Sequence, residues 1–107
     1  MKVKIKKSVQ QEVTIDVDFP VYRRQVVADA AVFTRILEYK GTMRKLTIWI
    51  SGSDVVQIDL DLSYRFDCSS HDFLLGKGKY ACTREDFQVA YDLARQSLSV
   101  LFFNCEE

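Results

Sequence analysis

The sequence predicts an α+β fold, an antiparallel β-meander of about four strands packed against one C-terminal α-helix. Three observations predict it. Apolar and polar residues alternate over the first nineteen positions, and again over 43–50 and 55–62. Short turn-forming segments separate those runs. The last quarter of the chain changes to a helical period behind a capping sequence. A two-residue rhythm buries one face of a strand, and a 3.6-residue rhythm buries one stripe of a helix.

Odd positions of the first segment read Val3, Ile5, Lys7, Val9, Gln11, Val13, Ile15, Val17 and Phe19, with polar residues between them. The apolar face weakens at 7–11, so the segment reads as one long bent strand or a frayed arm leading into one. Pro20 ends it, because proline cannot donate to a ladder. Residues 23–40 are ambiguous. They suit a helix closed by Gly41, while Val32, Phe33, Thr34, Ile36 and Tyr39 suit a pleated surface. We assign a loop over about 21–30 and a strand over about 31–39, followed by a hairpin across Lys40-Gly41.

Two further strands follow. Leu46, Ile48 and Ile50 form the apolar face of 43–50, and Val56, Ile58, Leu60 and Leu62 that of 55–62. Ser51-Gly52-Ser53-Asp54 joins them as a turn. Residues 63–82 read as a long loop with a short extra strand near 79–81. The helix opens at Thr83-Arg-Glu-Asp86, where the threonine hydroxyl can accept from the Asp86 amide and acids face the positive helix end. Its apolar side carries Phe87, Ala90, Tyr91, Ala94, Leu98, Leu101 and Phe102, and Asn104 is a suitable terminator. Val89, Leu93 and Val100 widen the stripe, which we read as a deeper core in preference to a homodimer or partner surface.

With 107 residues, ordinary globular composition and no linker, residues 1–107 are expected to form a single α+β domain. Fifteen basic residues balance fifteen acidic ones, which disfavours indiscriminate phosphate binding but allows a local patch. The N-terminal lysines have no apolar stretch behind them, and no apolar run spans a membrane. Three irregularly spaced cysteines fit reduced thiols, so the expected location is cytoplasmic.

The chemical signals are weak beside their structural readings. Cys68, His71, Cys82 and Cys105 match zinc in ligand type, but only one short-spaced pair exists and buried cysteines are common in cores. Cys68 or Cys82 with His71 and Asp72 can be drawn as a nucleophile, base and orienting acid, as can many unrelated chains. Leu75-Gly-Lys-Gly-Lys79 has the ingredients of an anion nest without P-loop spacing, so a turn is the simpler reading. No metal or cofactor is therefore expected. Asp16 and Asp18 end the first strand, and Asp59 and Asp61 line a later one. If those strands are neighbours, the four acids form a negative patch suited to a basic, nucleic-acid-binding surface on another protein. Tyr22, Arg23 and Arg24 form a basic-aromatic cluster, with Tyr22 read as structural and the arginines as solvated.

Residues 13–24 (VTIDVDFPVYRR), 32–36 (VFTRI) and 71–87 (HDFLLGKGKYACTREDF) resemble a loose group of small phage- and prophage-encoded proteins. The resemblance covers about a third of the chain. It implies an opening strand ending in Phe-Pro-x-Tyr, a Leu-Gly-x-Gly-x-Tyr loop before a capped helix, and strand rather than helix at 32–39. It also implies a mobile-element origin, and it brings no activity with it. The expected function is therefore non-enzymatic protein–protein binding in the host cytoplasm, in its most concrete form inhibition of a host defence nuclease, as anti-CRISPR proteins do. The alternative is a small nucleic-acid-binding module using Lys2, Lys4, Lys6, Arg23, Arg24, Lys77 and Lys79.

Overall fold

A computed structural model describes residues 2–8, 11–65 and 71–103. Six strands and two α-helices follow in order: β1 Lys2–Ser8, β2 Gln11–Asp16, β3 Val21–Val27, β4 Ala30–Tyr39, β5 Thr42–Ser51, β6 Asp54–Asp61, α1 His71–Leu75 and α2 Arg84–Phe103. A 3-10 turn, Gly78–Tyr80, lies between the helices. Strands β3–β6 form an antiparallel meander, and α2 packs on it, as the α+β reading expects.

The opening segment is two strands, not one. β1 and β2 pair as a separate antiparallel hairpin, with Val3 opposite Ile15, Ile5 opposite Val13 and Lys2 opposite Asp16. The weak stretch at 7–11 is where β1 ends and β2 begins. The loop assigned to 21–30 is also corrected. It is the strand β3, which turns into β4 at Ala28-Asp29 with Ala28 at φ 55°. The predicted strand near 79–81 is reduced to a 3-10 turn and one bridge between Ala81 and Arg23.

The other two hairpins use the chemistry the sequence offers. Lys40 and Gly41 both take positive φ (52° and 79°), the geometry that matches a two-residue turn to strand twist. Gly52 has φ 65° in the next turn. At the helix start, the Asp86 amide donates to Thr83 Oγ1 at 3.0 Å, and the Thr83 amide approaches Asp86 Oδ2 at 3.5 Å. That is the reciprocal cap.

The sheet has a core on each face. Toward α2, Ile48 and Ile50 pack with Phe87, Ala90 and Ala94, flanked by Tyr22, Phe33, Leu46, Val55 and Ile58. The Arg35 guanidinium enters this layer and lies 5.3 Å from the Phe87 ring centroid and 5.2 Å from that of Tyr91. On the opposite face, Val21, Ile36 and Met43 are covered by Val17, Tyr64, Phe73 and Leu74. The sequence reading provided only the first of these layers.

The deeper-core reading of the helix flank holds at Leu93, which packs against the core, and fails at Val89 and Val100. Phe87 is 1 % exposed, but Val89, Val100, Leu101 and Phe102 are each more than 60 % exposed. Twenty helical residues span about 30 Å, whereas four strands place their outermost members only about 14 Å apart. The helix begins over β3, where Tyr22 and Phe87 ring centroids are 5.4 Å apart, and touches all four strands. Its C-terminal turns therefore run past the sheet. No helix among the described residues is long and apolar enough to cross a membrane.

Candidate partner-binding face

Register fixes which side chains share the sheet face turned away from α2. One row across β3–β6 reads Gln25, Val32, Trp49, Gln57; the next reads Arg23, Thr34, Thr47, Asp59; the third reads Val21, Ile36, Lys45, Asp61. The β3 end of these rows lies under α1 and its partners. The β5–β6 end is open, and a concavity of about 290 Å³ forms there. Val32, Thr34 and Thr47 are its buried floor, and Lys45, Trp49, Asp59 and Asp61 stand around it.

Within this concavity Asp59 is the most constrained charge. Trp49 donates from Nε1 to Oδ2 at 3.2 Å, and Gln57 donates from Nε2 to both oxygens at 3.0 and 2.9 Å. Two neighbouring side chains thus orient one exposed carboxylate. Asp61 accepts from the Ser63 amide at 3.0 Å, and Lys45 holds its ammonium 4.9 Å from the Tyr64 ring centroid. β6 contributes three aspartates and no basic residue. A carboxylate accepts through about four lone-pair directions, so fixed acids on a concave sheet suit guanidinium and ammonium groups.

Of the four predicted acids, the structure brings Asp59 and Asp61 together. Asp16 and Asp18 are exposed elsewhere: β2 makes no contact with β6 among the described residues, and Asp16 lies opposite Lys2. The condition of neighbouring strands is not met, so the four-acid patch does not form by adjacency. Alternation along the last strand put Gln57 beside Asp59 and Asp61; sequence reasoning missed Trp49 and Thr34 as members of this face. The alternation of Lys45 and Thr47 with apolar residues marked the polar side of β5, but only register shows what it meets.

The basic set disperses. Arg23 is half-buried rather than solvated: Nε donates to the Phe73 carbonyl at 2.6 Å, Nη2 to that of Leu74 at 2.6 Å, and Nη1 to that of Tyr22 at 2.5 Å. Burial lowers its pKa from the ordinary arginine value. The Phe73 and Leu74 carbonyls end α1, so Arg23 caps a helix C-terminus. Arg24 is exposed, with its guanidinium 5.8 Å from the Phe33 ring centroid. Lys77 and Lys79 are exposed beside β3, while Lys2 and Lys4 lie on the separate hairpin. The Lys6 side chain lies outside the described residues.

The glycine loop serves the same cap. Gly76 takes φ 66°, its amide donates to the Phe73 carbonyl, and the Lys77 amide donates to that of Asp72. This pair is a Schellman closure of α1. The Tyr80 and Ala81 amides are likewise bonded, to Lys77 and Gly78 carbonyls. With these N–H groups engaged, the loop is a helix stop rather than an anion nest.

Cys82 is half-buried, and its thiol contacts the Thr83 carbonyl at 3.4 Å. Burial, and then the Asp86 charge, push its pKa above the ordinary thiol value, opposite to the direction that activates a nucleophile. Cys68, Cys105, Asn104 and the His71 side chain lie outside the described residues. Among the described residues, no cluster of three metal-ligating side chains occurs. The chain matches no family model, no curated protein and no solved structure.

Proposed function

We propose that this protein is a non-enzymatic binding protein of phage or mobile-element origin. It works in the host cytoplasm by occupying a basic, nucleic-acid-binding surface of a host protein. Inhibition of a defence nuclease, in the anti-CRISPR manner, is the most concrete form of the proposal. The observation that carries it is Asp59, held by Trp49 and Gln57 at a concave polar face with Asp61 and Lys45 beside it. An orienting shell lowers the ordering cost of pairing with an incoming arginine or lysine. Such a surface competes with nucleic acid for the same cations.

The alternative, a nucleic-acid-binding module, loses support from Arg23, whose donors are engaged within the fold. Lys2, Lys4, Lys6, Arg24, Lys77 and Lys79 remain its candidate contacts.

Affinity capture from host lysate should yield a stoichiometric complex with a nucleic-acid-binding protein. With that partner purified, Asp59→Lys combined with Asp61→Lys should weaken binding at least about tenfold without lowering the melting temperature. Unchanged affinity removes the face from the proposal. Salt-sensitive binding of DNA or RNA in a gel-shift assay, with no protein partner captured, transfers the function to the alternative.

A further inference from the structure

We infer that two copies of this chain join through the outer edge of β6, about a two-fold axis beside Ile58. The overhanging end of each α2 then lies over Leu60 and Leu62 of the other copy. This inference needs neither a host partner nor the acidic face to hold.

The β6 strand ends the order β3-β4-β5-β6, so its outer backbone groups have no strand neighbour among the described residues. A strand edge of this kind is a template for pairing. Side-chain exposure tells where α2 crosses it. Val55 and Ile58 pack beneath the helix, whereas Leu60 is 70 % and Leu62 57 % exposed. The helix thus crosses toward the Val55 end and leaves the Leu60 end bare. Meanwhile Leu101 and Phe102, each 66 % exposed, extend past the edge with no strand beneath them among the described residues. Each copy has an uncovered strip of strand and an uncovered end of helix.

Charge selects the register. In antiparallel self-pairing, directly opposed residues share a face. Ile58 against Ile58 places Val56 by Leu60 and Gln57 by Asp59, joining apolar to apolar and amide to carboxylate. Moving the axis to Asp59 sets two carboxylates against each other. An axis at Leu60 opposes Asp59 to Asp61. An axis at Gln57 brings Val55 against Asp59. Over the five residues centred on each axis, only the Ile58 register has no mismatched pair; farther out, past the register shift beside Val56, it sets Val55 against Asp61 and Asp54 against Leu62. The same rotation carries the second helix to the other side of the axis, above Leu60 and Leu62. The two helix ends then run side by side and antiparallel, each covering what the first copy leaves bare.

Sedimentation velocity over a concentration series is expected to show a monomer–dimer equilibrium. Leu60→Lys and Phe102→Ser, both at exposed positions, should each raise the dissociation constant, and Leu60→Lys by about 100-fold because symmetry counts the change twice. Circular dichroism should show the monomer fold retained. As a second test, Val56→Cys with Leu60→Cys, in a background with Cys68, Cys82 and Cys105 changed to serine, should form a covalent dimer on oxidation. Within one copy these two positions are about 13 Å apart along the strand, beyond the reach of a disulfide. A monomer at every accessible concentration, a dimer indifferent to both surface variants, or absence of the cross-link overturns the inference.

Discussion

The Nε of Arg23 donates to the carbonyl of Phe73 at 2.6 Å across fifty positions of sequence, fastening the end of α1 to β3. The guanidinium also fills the space that a side chain on Gly76 would need. A Cβ there would stand 2.8 Å from Arg23 Cζ, and the backbone is at φ 66°.

Gly76→Ala should therefore destabilise the protein by about 2–4 kcal/mol. About 1–2 arises from the left-handed backbone and the remainder from displacing a charged donor. At roughly 4–8 °C per kcal/mol, the melting temperature falls by about 8 °C or more. The same substitution should cost less in an Arg23→Ala background, since the steric conflict is then gone. Strict additivity in that cycle would show the two residues to be uncoupled.

Two phenylalanines on one helix should behave oppositely. Phe87 is 1 % exposed beneath Arg35 and beside Tyr22, so Phe87→Ala is expected to cost about 3–5 kcal/mol in urea unfolding. Phe102→Ala should stay within about 0.5 kcal/mol when measured dilute enough to keep the chain monomeric. Comparable losses at both positions would mean that α2 is covered to its end.

Cys82 should react sluggishly. Burial and Asp86 raise its pKa, so alkylation in the folded protein should reach half-maximal rate at higher pH than in the unfolded chain. The linked stability has a definite sign. Because the folded value lies above the unfolded one, its contribution is complete below the unfolded thiol pKa and is lost as pH rises through the folded one. Cys82→Ser should remove that alkaline loss. A thiol titrating below the unfolded chain would contradict the assigned environment.

Much of this fold can be read from residue pattern, and the failures have physical causes. β5, β6 and the Thr83 cap announce themselves because each has one greasy face or one dedicated side chain, whereas β4 serves both cores, through Ile36 on one face and Phe33 on the other, and its segment also suits a helix. The β1–β2 hairpin does not announce itself. From Lys2 to Lys6 its register pairs odd positions with odd and even with even, so the two strands share faces as one unbroken strand would, and only the last pair, Ser8 with Gln11, shifts. β3 is hidden because Arg23 and Arg24 occupy its opposite faces, one capping a helix and the other over an aromatic ring, and because its turn uses Ala28 rather than glycine. The site was half legible. Gln57, Asp59 and Asp61 follow from alternation on β6, but the Trp49 contact depends on which strand lies beside which. Helical periodicity shows which stripe is apolar, without showing how far the supporting sheet extends, and so Phe102 could not be separated from Phe87.

The bridge from Ala81 to Arg23 gives the β-sheet two unlike margins. Lateral addition at β3 meets a segment of the same chain, so strand-to-strand growth has one available flank. A copy that joins another by like flanks leaves no second acceptor, and the assembly closes at two protomers rather than polymerising into a fibre.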